Sequence, residues 1–493
     1  MRIHSSSAAL LTLFEKGQNS EQTLRDRLCS ALRQAITSGA LANEQRLPSS
    51  RQLAADLNIS RITVEAAYGQ IEAEGYLRRQ TGKGTFVSIA VPISPLGKQP
   101  KATAPRFARL STRGEQIVAT GGCYDPQEIL PFAAGSPDLR IFPLKIWQQL
   151  TNKQMRIHGD KLLRYGDPQG FAPLREAVCA YLQQSRGVRC NPQQILITTS
   201  SQQALQLLAT LLLDIGDNVW LEQPGYVGAR NAFASAGGVL CPMAVDEQGL
   251  IPTPHSPTPK MIYLTPSHHY PSGVSLSLSR RLQILDYARK HQAWIIEDDY
   301  DSELHYDGRP LPAMQGLDKH QQVIYLGTFS KVLFPSLRLA YVVLPEALVQ
   351  PMVTLRTVYD GHSSQWMQAV TADFIQAGHF ASHLRLSRQL YHSRRDHLLS
   401  QINDKLSGWL TPQPSAGGLQ LAAQLPAGSE QTLSQLALRQ GVMTPRLSPL
   451  WLPERESPDN RIRPVRDGWL LGFSALTPSE ITAAIDRLAR ITV

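Results

Sequence analysis

Cysteine is scarce in this chain. Its five cysteines (Cys29, Cys123, Cys179, Cys190 and Cys241) are scattered and form no C-x-x-C pair. That spacing argues against a disulfide framework or a zinc site and fits a reducing compartment. Long apolar runs are missing too. No stretch approaches the roughly 18–20 apolar residues of a membrane span. The opening MRIHSSSAALLTLFEKG has too short and too interrupted an apolar run for a secretory signal. No fixed-period repeat is evident. These absences lead to the expectation of a cytoplasmic protein with no metal and no membrane partner.

What is present is enough apolar sequence for an ample core, 42% of 493 residues, and a length beyond one ordinary domain. The net charge of +9 is unevenly spread. Residues 1–89 hold 11 Lys and Arg against 8 Asp and Glu, and residues 90–118 hold 5 against 1. The basic excess therefore sits at the N-terminal end, where an acidic partner such as nucleic acid would be met. The stretch AVPISPLGKQPKATAPRFARLSTRGEQIV (90–118) has four prolines, five cations and no helical or strand periodicity, so it reads as a semi-extended tether. The expected organisation is a DNA-binding unit at 1–89, a basic proline-rich linker at 90–128, and a large effector and dimerisation unit at 129–493.

The first unit carries a helical pattern. Leu24, Leu28, Ala31, Leu32 and Ala35 recur on one face, with Ser20 as a candidate N-cap and Gly39 as a stop. Further on, Ser49 or Ser50 caps a short helix carrying Leu53, Ala54 and Leu57. A tight turn follows at Asn58–Ser60, and a second helix turns Val64, Ala67, Tyr68 and Ile71 inward. Two short helices joined this way form the helix-turn-helix pattern. YLRRQTGKGTFVSI then alternates into two strands around Thr81-Gly82-Lys83-Gly84.

In such a motif the second helix enters the major groove by its N-terminus. Ser60, Arg61 and Thr63 are thereby placed for base edges and phosphates. Ser49, Ser50 and Arg51 open the preceding helix, where Arg51 suits the DNA backbone. Lys83, at the hairpin tip, suits the minor groove or a phosphate. Residues 20–89 resemble the winged-helix domain of the GntR regulators, down to RLPSSRQLAADLNISRITVEAAYGQIEAEGYL and GKGTFV. The resemblance implies double-stranded operator DNA as a partner.

The second unit alternates differently. Apolar runs QILITT, NVWLE, KMIYLTP, AWIIED, QVIYLG and RLAYVVL are separated by helical stretches such as QQALQLLATLLLDIG and SRRLQILDYARKH. Continuous apolar strands alternating with helices predict an α/β fold with a mostly parallel sheet covered on both faces. Ligands of such sheets bind at the carboxyl ends of strands, and the polar clusters fall there.

One cluster is YLGTFSKVLFPSLRLAY, in which Lys331 follows an apolar run and Thr328 and Ser330. A lysine that forms a Schiff base wants nearby cations or a desolvated pocket. If the aldehyde is pyridoxal phosphate, the site also needs phosphate ligands, an acid for the pyridine nitrogen and a hydrogen bond to the ring oxygen. Candidates exist for each. Thr328, Ser330 and Arg338 can ligate a phosphate, as can the helix start at Ser200, Ser201 and Gln202. Asp298 and Tyr300, two apart on an extended strand end, point to the same side and suit the pyridinium and the ring oxygen. Tyr226 in EQPGYVGAR can stack on the ring.

Taken in order and spacing, this set resembles the fold-type-I aminotransferases, and most closely the MocR subfamily of GntR regulators, which fuse a winged helix to an aminotransferase-like domain. LEQPGYVGAR, YLTPSHHYPSGVSLSLSRRL, AWIIEDDYDSELHYDGRPLPAMQGLD and VIYLGTFSKVLFPSLRLAYVVLP follow that pattern. The resemblance implies Lys331 as the cofactor-anchoring lysine, Asp298 on the pyridine nitrogen and Tyr300 on the ring oxygen. It also implies Tyr165, in RYGDPQG, as a phosphate ligand across a homodimer that is typically domain-swapped. Tyr270 stands where enzymes of this fold carry an asparagine, with His268 and His269 beside it. Either this segment contacts the ring oxygen, or the two histidines only shape a loop.

One departure matters. Amino-acid aminotransferases place a late arginine to clamp the substrate carboxylate bidentately, whereas Leu470 or Leu471 of GWLLGFSAL stands there. Arg446, Arg463 and Arg230 are candidates to replace it. The departure shifts the expected effector from an amino acid such as GABA or taurine towards pyridoxal phosphate itself, with vitamin B6 synthesis or salvage as the regulated process. A working aminotransferase with an accessory DNA-binding unit is the alternative, and partial reactions rather than efficient turnover are expected.

Overall fold

The computed structural model describes residues 5–16, 22–88, 110–122, 130–253, 256–308, 311–452 and 467–491. They fall into two units, Met1–Arg109 and Leu110–Val493.

In the first unit the helix Leu24–Thr37 buries Leu28, Ala31, Leu32 and Ala35, as its spacing predicts. Leu24 instead stays 47% exposed, because it occupies the first helical position, short of the packed turns. Thr23 is the N-cap, its side chain accepting from the Asp26 N–H; Ser20 lies outside the described residues. The helix ends at Thr37, with Gly39 just beyond at φ +77°. Helices Ser50–Leu57 and Arg61–Ala73 are joined through Asn58, which takes the left-handed conformation that lets the chain turn sharply. Ser49, rather than Ser50, is the cap of the first. Strands β1 (Leu77–Gln80) and β2 (Gly84–Val87) pair antiparallel as the wing. A helix at Ser5–Lys16, not expected from the sequence, adds Leu10 and Phe14 to the same core as Leu53, Val64 and Ile71. Burying two such side chains stabilises the unit by about 1.5–3 kcal/mol each.

The second unit opens with a helix at Thr112–Ala119, capped by Ser111. It overlaps the stretch read as lacking periodicity, and it is a short helix with none of its residues buried. The unit is built on strands β3 (Ile195–Thr198), β4 (Asn218–Gln223), β5 (Val239–Asp246), β6 (Gly249–Leu250), β7 (Met261–Leu264), β8 (Trp294–Asp299), β9 (Val323–Thr328) and β10 (Ala340–Val343). Their order across the sheet is β3-β10-β9-β8-β7-β4-β5-β6. The sheet is mostly parallel; β10 runs antiparallel between β3 and β9, and β6 antiparallel at the edge.

Alternate side chains enter different cores, as the two-residue period demands. Met261 and Tyr263 of β7 join Leu205, Phe233 and Met352 on one face, while Ile262 and Leu264 join Ile284 and Ala288 of the helix Leu278–His291 on the other. A smaller antiparallel sheet, β11 (Thr411–Pro412), β12 (Gln420–Gln424) and β13 (Gly468–Gly472), packs into the same unit. Cys29, Cys179, Cys190 and Cys241 are unbridged. Among the described residues no helix is long and apolar enough to cross a membrane.

Candidate cofactor site and nucleic-acid interface

A cavity of about 350 Å³ opens where β8 and β9 end and the helix Ser201–Leu212 begins. Lys331, Asp298, Tyr300, Thr328, Ser330 and Arg338 line it. So do Ser200, Ser201, Gln202, Tyr226 and Tyr270, residues that a sheet topology alone brings together. Of the cofactor ligands expected from the sequence, only Tyr165 is not among the cavity's lining residues; it is 99% exposed, with its ring edge-on to His362.

The acidic run Glu297-Asp298-Asp299 is fully buried rather than a solvated turn, and the strand splits its duties. Glu297 and Asp299 point one way: Glu297 accepts the Met314 and Gln315 N–H groups, each at 2.8 Å, and Asp299 accepts Arg186 Nε at 2.9 Å and Tyr325 Oη at 2.6 Å. Asp298 points the other way, into the cavity. Tyr263 Oη donates to its Oδ2 at 2.7 Å, while Oδ1 has no hydrogen-bond partner. Burial first, and neighbouring Asp299 and Asp301 next, push the Asp298 carboxyl up to about 7 against the pull of Tyr263 and Lys331. A buried, unsatisfied carboxylate oxygen calls for a donor that the described protein groups do not supply.

Lys331 Nζ donates to the Gly135 carbonyl at 3.1 Å. Gly135 has φ +75°, and a Cβ there would stand 3.0 Å from Nζ, so only glycine keeps that approach open. Nothing local to either residue signals this contact, made across nearly two hundred residues. Arg338 is exposed to the cavity and has no ion-pair or hydrogen-bond partner among the described residues. At the facing helix start, Ser200 Oγ accepts the Gln203 N–H at 3.1 Å, leaving the first-turn N–H groups for an anion. Gln202 Nε2 donates to the Gly228 carbonyl at 2.9 Å, while its buried Oε1 has no hydrogen-bond partner among the described residues. Gln420, 6% exposed with an unpartnered Oε1, also lines the cavity and was not anticipated.

An unpaired carboxylate oxygen, a primary amine, a guanidinium, a helix N-terminus and four tyrosines line one cavity and fit pyridoxal phosphate group by group. The carboxylate-clamp position is apolar: Leu470 is buried in a small cluster with Ala422 and Leu447, against which Ala134, Tyr270 and Leu450 pack, and Leu471 is buried in the main core. Neither of the arginine candidates in the described residues compensates. Arg446 is exposed and away from the cavity, and Arg230 bonds the carbonyls of Pro449 and Trp451; Arg463 lies outside the described residues.

In the winged unit, Arg25, Arg33, Arg78 and Arg79 are held in ion pairs with carboxylates of the same unit. Arg51, Arg61 and Lys83 are exposed with no such partner among the described residues. Ser60 caps the second helix, accepting the Thr63 N–H at 3.2 Å with Thr63 Oγ1 also at 3.2 Å. Ser50 bonds Glu65, and Ser49 the Gln52 N–H. The exposed helix start therefore offers Arg61 and the apolar Ile62, 81% exposed, rather than free hydroxyls alone. Arg46, overlooked in the sequence, lies across the wing with Nε 2.9 Å from where a Gly84 Cβ would be.

This fold and this site define a pyridoxal-phosphate-binding domain joined to a DNA-binding winged helix. Residues 24–87 match the bacterial regulatory proteins of the gntR family, and residues 127–486 match aminotransferase class I and II. The chain belongs to the MocR subfamily of GntR transcription regulators. It is 36% identical to the probable rhizopine catabolism regulatory protein MocR of Rhizobium meliloti, across 96% of this chain and 94% of that one. It is 31% identical to the regulator TauR of Rhodobacter capsulatus (95% and 96%), and 28% identical to the pyridoxine biosynthesis regulator PdxR of Corynebacterium glutamicum (86% and 88%). Among solved structures it resembles the α-aminoadipate aminotransferase LysN of Thermus thermophilus, complexed with N-(5'-phosphopyridoxyl)-L-leucine. That match has a TM-score of 0.67 at 28% identity, covering 77% of this chain and 94% of that one.

Proposed function

We propose that this regulator senses pyridoxal phosphate itself and controls vitamin B6 synthesis or salvage. The observation that carries the reading is the cation count of the cavity. Lys331 and Arg338 are the cations among its described lining residues, and the cofactor's aldehyde and phosphate engage both. None is left to clamp an amino-acid carboxylate, and Leu470 and Leu471 fill the clamp position. The name of the PdxR relative points the same way.

When bound, pyridoxal phosphate supplies an aldehyde that condenses with an amine. Lys331 is that amine. Asp298 would hold the pyridine nitrogen and Tyr300 would meet the ring oxygen. Thr328, Ser330, Arg338 and the first-turn N–H groups after Ser200 would hold the phosphate. Tyr226 and Tyr270 would flank the ring, and Tyr165 would reach the phosphate of a second copy in a homodimer. Ligand shifts DNA affinity only by the difference in its affinity for the two presentations of the winged helices.

The test is DNA binding by the full chain to the region upstream of its own gene, with pyridoxal phosphate or an amino acid added at fixed salt. Cofactor should change the affinity, Lys331→Ala should abolish that change, and GABA or taurine should add nothing. Affinity indifferent to cofactor but responsive to an amino acid would overturn the reading.

A further inference from the structure

His268 and His269 are adjacent, yet their surroundings give them opposite states. His269 bonds Ser272 Oγ of its own loop at 2.6 Å and the Pro224 carbonyl, just after β4, at 3.0 Å, and burial drives it down to about 3. It is a neutral residue that shapes the loop. His268 instead sits behind Tyr300, rings 6.1 Å apart and 30° from parallel. Its Nδ1 is 2.9 Å from Asp301 Oδ2 and 3.2 Å from Tyr300 Oη, and its Nε2 is 3.0 Å from Ser415 Oγ.

Proton bookkeeping settles its charge. Ser415 Oγ donates its single proton to the Gly417 carbonyl at 2.8 Å, so it accepts from Nε2–H. A carboxylate only accepts, so Nδ1 carries a proton for Asp301. With both nitrogens donating, His268 is an imidazolium. Burial opposes that charge, but the charge and hydrogen bond of Asp301, with Asp299 beyond, more than offset it and raise the imidazole pKa. The ring is also walled in. A Cβ on Gly273 would stand 3.1 Å from Nε2, and one on Gly418 2.3 Å from Cε1.

The consequence falls on Tyr300, which lines the cofactor cavity. A protonated Nδ1 cannot accept from the phenol. Tyr300 Oη therefore faces an N–H and keeps its own proton for the cavity. We propose that His268 is a positioning residue: with Asp301 and Ser415 it fixes Tyr300 as a hydrogen-bond donor to the ring oxygen of pyridoxal phosphate. The inference rests on the cofactor seat at Lys331 and Tyr300.

Donation to the ring oxygen favours its anionic form, so losing it moves the pH midpoint of the bound cofactor's absorbance upward. The experiment titrates that absorbance in the full-length cofactor-loaded protein, after borohydride reduction has shown a pyridoxyl adduct on the Lys331 peptide. His268→Phe and Asp301→Asn should each raise the midpoint by about one unit, the scale of one lost charge-assisted interaction. Ser415→Ala should move it less in the same direction. In a Tyr300→Phe background, His268→Phe should add nothing. A preserved adduct with an unmoved midpoint in Asp301→Asn, or an equal shift without the Tyr300 hydroxyl, would overturn the positioning role. Failure to trap the adduct in the unmodified protein would instead overturn the seat, and the proposal with it.

Discussion

Tyr263 Oη holds one oxygen of Asp298 at 2.7 Å and leaves the other unpaired in the cavity. The phenol orients the carboxylate, whose second oxygen has no donor among the described residues. Asp298→Asn should weaken cofactor binding about 10- to 100-fold, the 1.5–3 kcal/mol of a hydrogen bond to a charged group. Tyr263→Phe should cost less, about 0.5–1.5 kcal/mol, because the charge remains. Fluorescence titration with pyridoxal phosphate reads both.

The same carboxyl makes cofactor-free stability depend on pH. Burial raises Asp298 from 3.8 to about 7, so between those values the folded chain holds a proton that the unfolded chain has released. Its contribution is full below 3.8 and lost as pH rises through about 7. Glu222, Glu297 and Glu303 are also pushed up to about 7, chiefly by burial, but they are shared by wild type and Asp298→Asn and largely cancel in the difference. Denaturant unfolding without cofactor should show Asp298→Asn gaining on wild type by on the order of 2 kcal/mol from about pH 5 to about pH 8. A constant difference across that range would remove Asp298 as its source.

Much of this site was legible because the fold places chemistry at strand ends. Asp298 and Tyr300, spaced by two, could be assigned to one side before any coordinates, and Lys331 stood out after an apolar strand. Residues that act through distant contacts were not legible. Gly135 matters only because Lys331 folds against it, and Gln420 because β12 returns beside the cavity. The charge of His268 depends on Asp301 and Ser415, one after β8 and one before β12. The helix Thr112–Ala119 escaped for a different reason: it is short, and none of its residues is buried.

In the winged unit, free and paired cations should separate in their effect on DNA. Arg61→Ala should cost about 1–3 kcal/mol if the guanidinium reads a base edge, and the loss should vary with operator sequence. Lys83→Ala should weaken all sequences alike and lower the salt slope by about one. Arg33→Ala, whose partner Glu74 is 2.7 Å away, should leave DNA affinity nearly unchanged. Anisotropy titrations at several salt concentrations distinguish the three.

The apolar clamp position offers a gain-of-function test of the effector. Leu470, on β13, belongs to a small cluster with Ala422 and Leu447 against which Ala134 and Tyr270 pack, and those two line the cavity, whereas Leu471 lies in the main core and would not tolerate a charge. Leu470→Arg therefore brings a guanidinium towards the cavity, where a bidentate carboxylate contact becomes available. Wild type should show slow, weakly saturating loss of cofactor absorbance with amino acids in single-turnover spectra. Leu470→Arg should bind them about 10- to 100-fold more tightly, the range of a charged hydrogen bond, while its response to pyridoxal phosphate alone persists. Tight amino-acid saturation already in wild type would mean that another cation closes the clamp, and that the chain senses an amino acid rather than its cofactor.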